Sequence, residues 1–123
     1  MNKLNILQIA DVFYPDLLSG AGRYLYDLSR FLIKRGHDVT VLTRKYEGLS
    51  QSDLIDGIDV IRFKWGNPIL SILDEQIKIA KILENKKIDI VFFHQPLSAY
   101  FALKLIKKLP RIYFFHSPWH REF

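Results

Sequence analysis

The N-terminal third of the chain alternates between strand-like and helix-like segments. An apolar run, residues 4–10, precedes a loop that contains Gly20 and Gly22. Leucines then recur at three- and four-residue steps, which predicts an amphipathic helix with one core face. Two cations followed by Gly36 are typical of a helix C-terminus with a left-handed cap, and the β-branched run 38–43 predicts a second strand. This order predicts a βαβ unit with a right-handed crossover. The positions expected on the core face of the helix are Ala21, Leu25, Leu28 and Leu32.

The rest of the chain repeats the alternation. After a polar loop, residues 46–56, we expect strands at 57–63, 88–93 and 111–115, with helices at 69–87 and 97–109 between them. The run 88–93 is almost continuously apolar, as in a strand buried on both faces of a parallel sheet. The positions expected on the core face of the second helix are Leu73, Ile77, Ala80 and Leu83. The pattern predicts one α/β domain, a Rossmann-like, doubly wound parallel sheet with strand order 3-2-1-4-5 and helices on both faces.

Composition limits the classes of function. The chain of 123 residues has no cysteine, which excludes a disulfide framework and a thiolate zinc site and fits a reducing, cytoplasmic compartment. No run approaches the roughly 18 apolar residues of a membrane-spanning helix. The net charge of +5 is distributed over the sequence, which favours an ordinary solvated surface. Contact with anionic lipid or phosphate groups is the second interpretation, and nucleic acid binding is disfavoured because no reading module is present.

A doubly wound sheet binds ligands at the carboxyl ends of its strands. That edge should gather Asp11 and the glycine loop from strand one, His94 from strand four, and His116 with Ser117 from strand five. Structural alternatives stay open at this point: the glycines could relieve crowding, Asp11 could cap a turn, and the histidines could bond a neighbouring loop. A metal is disfavoured, because Pro118 separates His116 from His120 and no third ligand is evident.

Several nucleotide-binding classes do not fit. A dinucleotide site requires G-x-G-x-x-G directly after strand one and an acid closing strand two, where this chain has a long loop and Arg44. A P-loop motif is absent. A receiver-type phosphorelay domain would place an acceptor aspartate after strand three, where Phe63-Lys64-Trp65 stands.

The order of several short motifs resembles a known family. They are Tyr14-Pro15-Asp16, Ser19-Gly20-Ala21-Gly22-Arg23, the run from Arg35 to Thr43, Asp89-Ile90-Val91 with His94-Gln95-Pro96, and Phe115-His116-Ser117-Pro118-Trp119. Together they resemble the N-terminal domain of family-four glycosyltransferases with the GT-B fold. Such enzymes have two Rossmann-like domains facing a cleft, and the resemblance implies that residues 1–123 are part of the acceptor-side domain.

The resemblance also implies roles for individual residues. Backbone amides of Gly20, Ala21 and Gly22 would approach the donor diphosphate, and His116 would be the catalytic residue beside the transferred sugar. The residues implied on the acceptor side are Asp11, Tyr14, Asp16, His94, Ser117 and Trp119. The substrates implied are a nucleotide-diphosphate sugar and a glycan, lipid or small-molecule acceptor, with no metal and no separate cofactor.

This chain departs from the family pattern in two ways. Ser19 stands where a Gly-Gly pair commonly begins, and the sequence given ends at Phe123, without a donor-binding domain. We therefore expect the chain alone to be inactive and to need a C-terminal GT-B domain or a partner chain. We also expect self-association through the strand-five edge, and Lys104, Lys107 and Lys108 could contact the inner membrane face. The alternative function is a non-catalytic binding module or a degenerate remnant of the fold.

Overall fold

One mixed sheet with helices on both faces forms the framework of the chain. A computed structural model describes residues 3–10, 20–45, 48–64, 67–94 and 109–113. Its elements are β1 (Asn5–Ile9), α1 (Gly20–Lys34), β2 (Asp38–Lys45), β3 (Ser52–Ile55), β4 (Ile58–Lys64), α2 (Pro68–Asn85), β5 (Ile90–Phe93) and β6 (Arg111–Tyr113). The sheet order is β3-β4-β2-β1-β5-β6. The predicted order is confirmed for the five parallel strands, and most of the predicted third helix lies outside the described residues.

The sheet differs from the prediction by one additional strand. The segment 46–56 was expected to be a loop, but its residues 52–55 form β3, which pairs antiparallel with β4. Asp56 and Gly57 connect the two strands with φ angles of 50° and 85°. Two consecutive positive φ angles are the requirement of the tight hairpin turn that Asp-Gly favours. The side chains of Ser52, Asp53 and Leu54 are all exposed, so the apolar pattern gave no signal for this edge strand.

Helix α1 has the predicted end and, at two of the four predicted core positions, the predicted inner face; Leu28 is half-buried, and the side chain of Ala21 lies outside the described part of the chain. Leu25 is fully buried in the cluster beneath the helix, and Leu32 packs against the same cluster. The N–H of Gly36 donates to the carbonyl of Ile33 at 2.9 Å, and the N–H of His37 donates to that of Leu32 at 3.1 Å. With φ of 94° at Gly36, this is the two-bond glycine cap expected from the sequence.

Helix α2 packs on the opposite side of the sheet, with a different face from the one predicted. Asn67 caps its first turn by accepting from the N–H groups of Ile69 and Leu70. The core-face prediction for Leu73, Ile77 and Ala80 is wrong, because all three are exposed; Leu83 does pack against the core. The residues buried instead are Ser71, Glu75, Ile79 and Ile82. Apolar residues surround this helix, so their spacing did not select one face.

Polar contacts close the amino edge of the sheet. The N–H of Leu4 donates to His37 Nδ1 at 3.0 Å. The N–H of Asn5 donates to Asp89 Oδ2 at 2.8 Å, and the side-chain amide of Asn5 donates to the carbonyl of Lys87 at 2.9 Å. These bonds join the starts of β1, β2 and β5. Within the described ranges, neither helix combines the length and apolar character needed to cross a bilayer.

Candidate functional site

Four residues form a row across the sheet at the level where β1 and β5 end. Thr43 lies opposite Arg62 in the ladder between β2 and β4. Ala10 and His94 each directly follow the last paired residue of β1 and β5. All four residues are at most 3% exposed, and Ala10 belongs to the cluster beneath α1. At the carboxyl ends of β1 and β5, the edge that a doubly wound sheet uses for ligands, this row therefore places one polar side chain, that of His94.

A chain of hydrogen bonds connects His94 with α1. His94 Nε2 lies 2.7 Å from Gln8 Oε1. Gln8 Nε2 donates to Ser29 Oγ at 2.5 Å, and Ser29 Oγ donates to the carbonyl of Leu25 at 2.8 Å. The side chains of Gln8, Ser29 and His94 are all buried. The imidazole therefore has a fixed position at the end of β5.

The ring of Tyr24 flanks His94. The two ring centroids are 6.3 Å apart at an interplanar angle of 59°, and Tyr24 remains partly exposed at 44%. Because Tyr24 lies in the first turns of α1, the N-terminal end of this helix reaches the histidine at the sheet edge. Sequence reasoning missed Tyr24, Gln8 and Ser29 as parts of this site. A glutamine inside the apolar run of β1 was the available signal.

Arg62 is engaged by the edge hairpin. Its Nη1 donates to Asp53 Oδ2 at 2.6 Å and to the carbonyl of Ser50 at 3.0 Å. The hydrogen bond from Arg62, and a second from Ser50, hold the pKa of Asp53 below its ordinary value. The buried guanidinium therefore anchors β3 to β4, and we assign it a structural role.

The structure describes only part of the predicted site. Gly20, Ala21 and Gly22 form the first residues of α1, so the expected glycine loop is helical from Gly20 onward. These residues therefore lie at the N-terminal end of a helix, which carries the positive pole of the helix dipole and favours an anion. The site residues that lie outside the described residues are Asp11, Tyr14, Asp16, His116, Ser117 and Trp119. In the part of the chain that the structure describes, no three side chains are grouped as metal ligands.

Comparison with known proteins places these features in a family. Residues 18–123 match the family model described as Glycosyltransferase Family 4. A phosphatidylinositol N-acetylglucosaminyltransferase subunit from Arabidopsis thaliana is 29% identical over 102 residues, which are 78% of this chain and 23% of the relative. This chain thus spans about a quarter of that protein.

Solved structures show the same fold. A glycosyltransferase from Rickettsia africae matches 97% of this chain with 26% identity and a TM-score of 0.67, and the match covers 31% of that protein. A sucrose-phosphate synthase from Thermosynechococcus elongatus matches 94% of this chain with 16% identity and a TM-score of 0.66, over 33% of its own length. The second likeness concerns the fold alone. Because the family model matches most of its residues, the chain belongs to glycosyltransferase family 4.

Proposed function

We propose that this chain is the acceptor-side domain of a glycosyltransferase that moves a sugar from a nucleotide-sugar donor to an acceptor. The observation that supports this most directly is buried His94, hydrogen-bonded at the carboxyl edge beside the first turns of α1. Glycosyl transfer develops negative charge on the departing diphosphate and positive character on the sugar ring. The N-terminal end of α1, at Gly20, Ala21 and Gly22, carries the positive pole of the helix dipole and suits the diphosphate, and an imidazole suits a sugar or acceptor hydroxyl.

The proposal includes a second domain. We propose that a C-terminal GT-B domain or a partner chain holds the nucleotide sugar, and that His116 lies beside the transferred sugar. The remaining acceptor contacts in this proposal come from Asp11, Tyr14, Asp16, Ser117 and Trp119. The matched segment is 23% of the Arabidopsis relative, so a protein of that kind has room for the proposed donor-binding part outside the matched segment.

We further propose a lipid-linked acceptor of the phosphatidylinositol type and an N-acetylglucosamine-bearing donor. The name of the Arabidopsis relative supports this choice. The domain would then work in the cytoplasm at the inner membrane face.

The outer face of α2 supports membrane contact. Ile69, Leu70, Leu73 and Ile77 are 70%, 59%, 51% and 52% exposed. Beside them, Lys78, Lys81 and Lys86 line a cleft of about 290 Å³ between the helix and the edge hairpin. Lys86 is paired there with Asp59 at 2.6 Å. An exposed apolar stripe flanked by cations fits the surface of a bilayer that contains anionic lipid.

Liposome sedimentation tests this contact. We expect pelleting with vesicles that contain anionic phospholipid and weaker pelleting with zwitterionic vesicles. The double variant Leu73→Ser/Ile77→Ser should lower binding. Phe31→Ser is the control, because Phe31 is 53% exposed on α1, which packs on the opposite face of the sheet. Equal pelleting in both vesicle types, or an equal effect of the control, would contradict the assignment.

Reconstitution tests the main proposal. The chain is titrated with UDP, GDP and their sugars by calorimetry, alone and with a candidate donor-binding domain, and turnover is then assayed. We expect binding and turnover only in the mixture, and loss of turnover in His94→Ala. His37→Ala is the control, since His37 lies at the amino edge of the sheet. Silence in every combination would favour the binding-module or remnant alternative.

The edge of the sheet at β6 supports a proposal about self-association. Within the described residues β6 is the last strand on one side of the sheet, and its Ile112 is 44% exposed. An unpaired strand edge recruits other strands, so we propose that the isolated chain self-associates there. A monodisperse monomer in light scattering across a concentration series would exclude this.

A further inference from the structure

We infer that Gln8 and Ser29 are positioning residues that hold His94 in one tautomer, with the ring proton on Nε2. The functional meaning of this inference rests on the proposed sugar transfer at His94. The inference itself rests on three consecutive hydrogen bonds.

The direction of the network is set at Ser29. Its Oγ lies 2.8 Å from the carbonyl oxygen of Leu25, and two oxygens at that distance need a hydrogen between them. A carbonyl only accepts, so the hydroxyl donates its single proton to Leu25. Toward Gln8, the same oxygen therefore acts as an acceptor. The group of Gln8 that faces it must be the NH₂ group, which lies 2.5 Å away.

The orientation of Gln8 then decides the proton on His94. Since the NH₂ group of the amide faces Ser29, its oxygen is the atom that faces the histidine, 2.7 Å from Nε2. An amide oxygen cannot donate, so Nε2 must carry the hydrogen. In the neutral ring, Nδ1 is then the nitrogen with the lone pair.

Burial makes this arrangement selective. Gln8 and Ser29 are 0% exposed and His94 is 3% exposed, so bulk water does not substitute for a lost partner. The reversed network, with the amide flipped, would leave the oxygens of Ser29 and Leu25 facing each other without a hydrogen. A buried polar network with an unsatisfied member is costly. The fixed tautomer is therefore the favoured state.

The tautomer limits what His94 can recognise. In the neutral ring Nδ1 only accepts, so any group that bonds it must be a donor. A sugar or acceptor hydroxyl meets this condition, whereas an unprotonated phosphate oxygen does not. This is the polarity that the proposed sugar transfer requires of His94.

Long-range ¹H–¹⁵N spectra of the labelled chain test the inference, because they identify which ring nitrogen is protonated. We expect the neutral His94 ring to show a protonated Nε2 alone. Gln8→Met removes the acceptor at similar length, and Ser29→Ala removes the partner that orients the amide without touching the imidazole. Both variants should give a mixture of the two tautomers at His94.

Two controls separate positioning from a general structural effect. Ser71→Ala changes a buried serine of α2, on the other face of the sheet, and should leave the His94 tautomer unchanged. His37 is an internal reference, because its Nδ1 accepts from the N–H of Leu4 and its signals should not respond to any variant.

The result that overturns the inference is a wild-type His94 ring protonated on Nδ1, or a Ser29→Ala spectrum identical to that of the wild type. If Gln8→Met fails to fold, Ser29→Ala still decides the question, since alanine is the residue best tolerated in a helix. The measurement needs no nucleotide sugar and no second domain. Its failure is therefore distinguishable from a failure of the proposed transfer activity.

Discussion

Replacing Gly36 with alanine tests the cap that ends α1. The φ angle of 94° is one that L-residues rarely adopt, and a Cβ built at this position has no neighbour within 4 Å. The cost is therefore conformational, with no contribution from a clash. A left-handed backbone costs an L-residue about 1–2 kcal/mol, and the stiffer unfolded chain of the alanine variant returns about 0.4–1 kcal/mol. We expect Gly36→Ala to lower the free energy of unfolding by about 1 kcal/mol.

Urea and thermal unfolding measure this change. For a domain of this size, about 1 kcal/mol corresponds to a decrease of roughly 2–8 °C in Tm. The urea midpoint should decrease with an unchanged slope, because the surface exposed on unfolding is the same. Gly36→Asn should lose less stability, since asparagine tolerates left-handed backbone better than other non-glycine residues.

Two results would refute the reasoning. If Gly36→Ala unfolds at the same midpoint as the wild type, the left-handed cap is not formed in solution. If the alanine and asparagine variants lose equal stability, the cost does not come from backbone conformation. Gly48→Ala should lose a similar amount of stability, because Gly48 also has a positive φ of 84° and open space around its Cβ position, although it ends no helix.

Three further outcomes are expected. Arg62 holds the pKa of Asp53 below 3.8, so this pair stabilises the fold above about pH 4 and loses its effect as acid protonates the carboxylate; Asp53→Asn should flatten the acid side of a stability–pH profile. The hydrogen bond to Asp56, with burial, raises the pKa of Tyr26 above 10.0. The stabilisation that this bond gives to the fold is therefore present at neutral pH and is lost as pH rises through the raised pKa. Tyr26→Phe should remove this loss of stability at alkaline pH. Ile79→Ala should cost about 2–5 kcal/mol in urea unfolding, whereas alanine at an exposed apolar position of α2 should change stability by at most about 0.5 kcal/mol, and equal losses would contradict the observed face.

Residue patterns predicted the parallel sheet because each of its strands is an apolar run next to a residue that favours a turn or the end of an element. Gly36 ends α1 as expected, and the order of the parallel strands is the one expected of a doubly wound sheet. The prediction missed β3, because an apolar run does not mark this strand. The hairpin of β3 is specified by the turn at Asp56 and Gly57, and its own side chains are largely exposed.

The two helices show why the spacing of apolar residues predicts the buried face of α1 but not that of α2. In α1, charged residues occupy the outer face and Leu25 the inner face, so the pattern has one solution. In α2, isoleucines and leucines occur on both faces, and the buried face includes Glu75. For the site, His94 was found as a residue that follows an apolar strand. Its partners Gln8 and Ser29 required the structure, because they are distant in sequence and ordinary in type.

The polar closure of the amino edge has a consequence for engineering. The bonds from Leu4 to His37 and from Asn5 to Asp89 and Lys87 fix the strand starts without using any residue of the carboxyl edge. The strand starts are thereby joined independently of the hydrogen bonds of Gln8, Ser29 and His94 at the other end of the sheet. Substitutions within that network should therefore leave the joined strand starts intact, whereas Ala10 and Arg62 are buried and should be kept in any engineered variant.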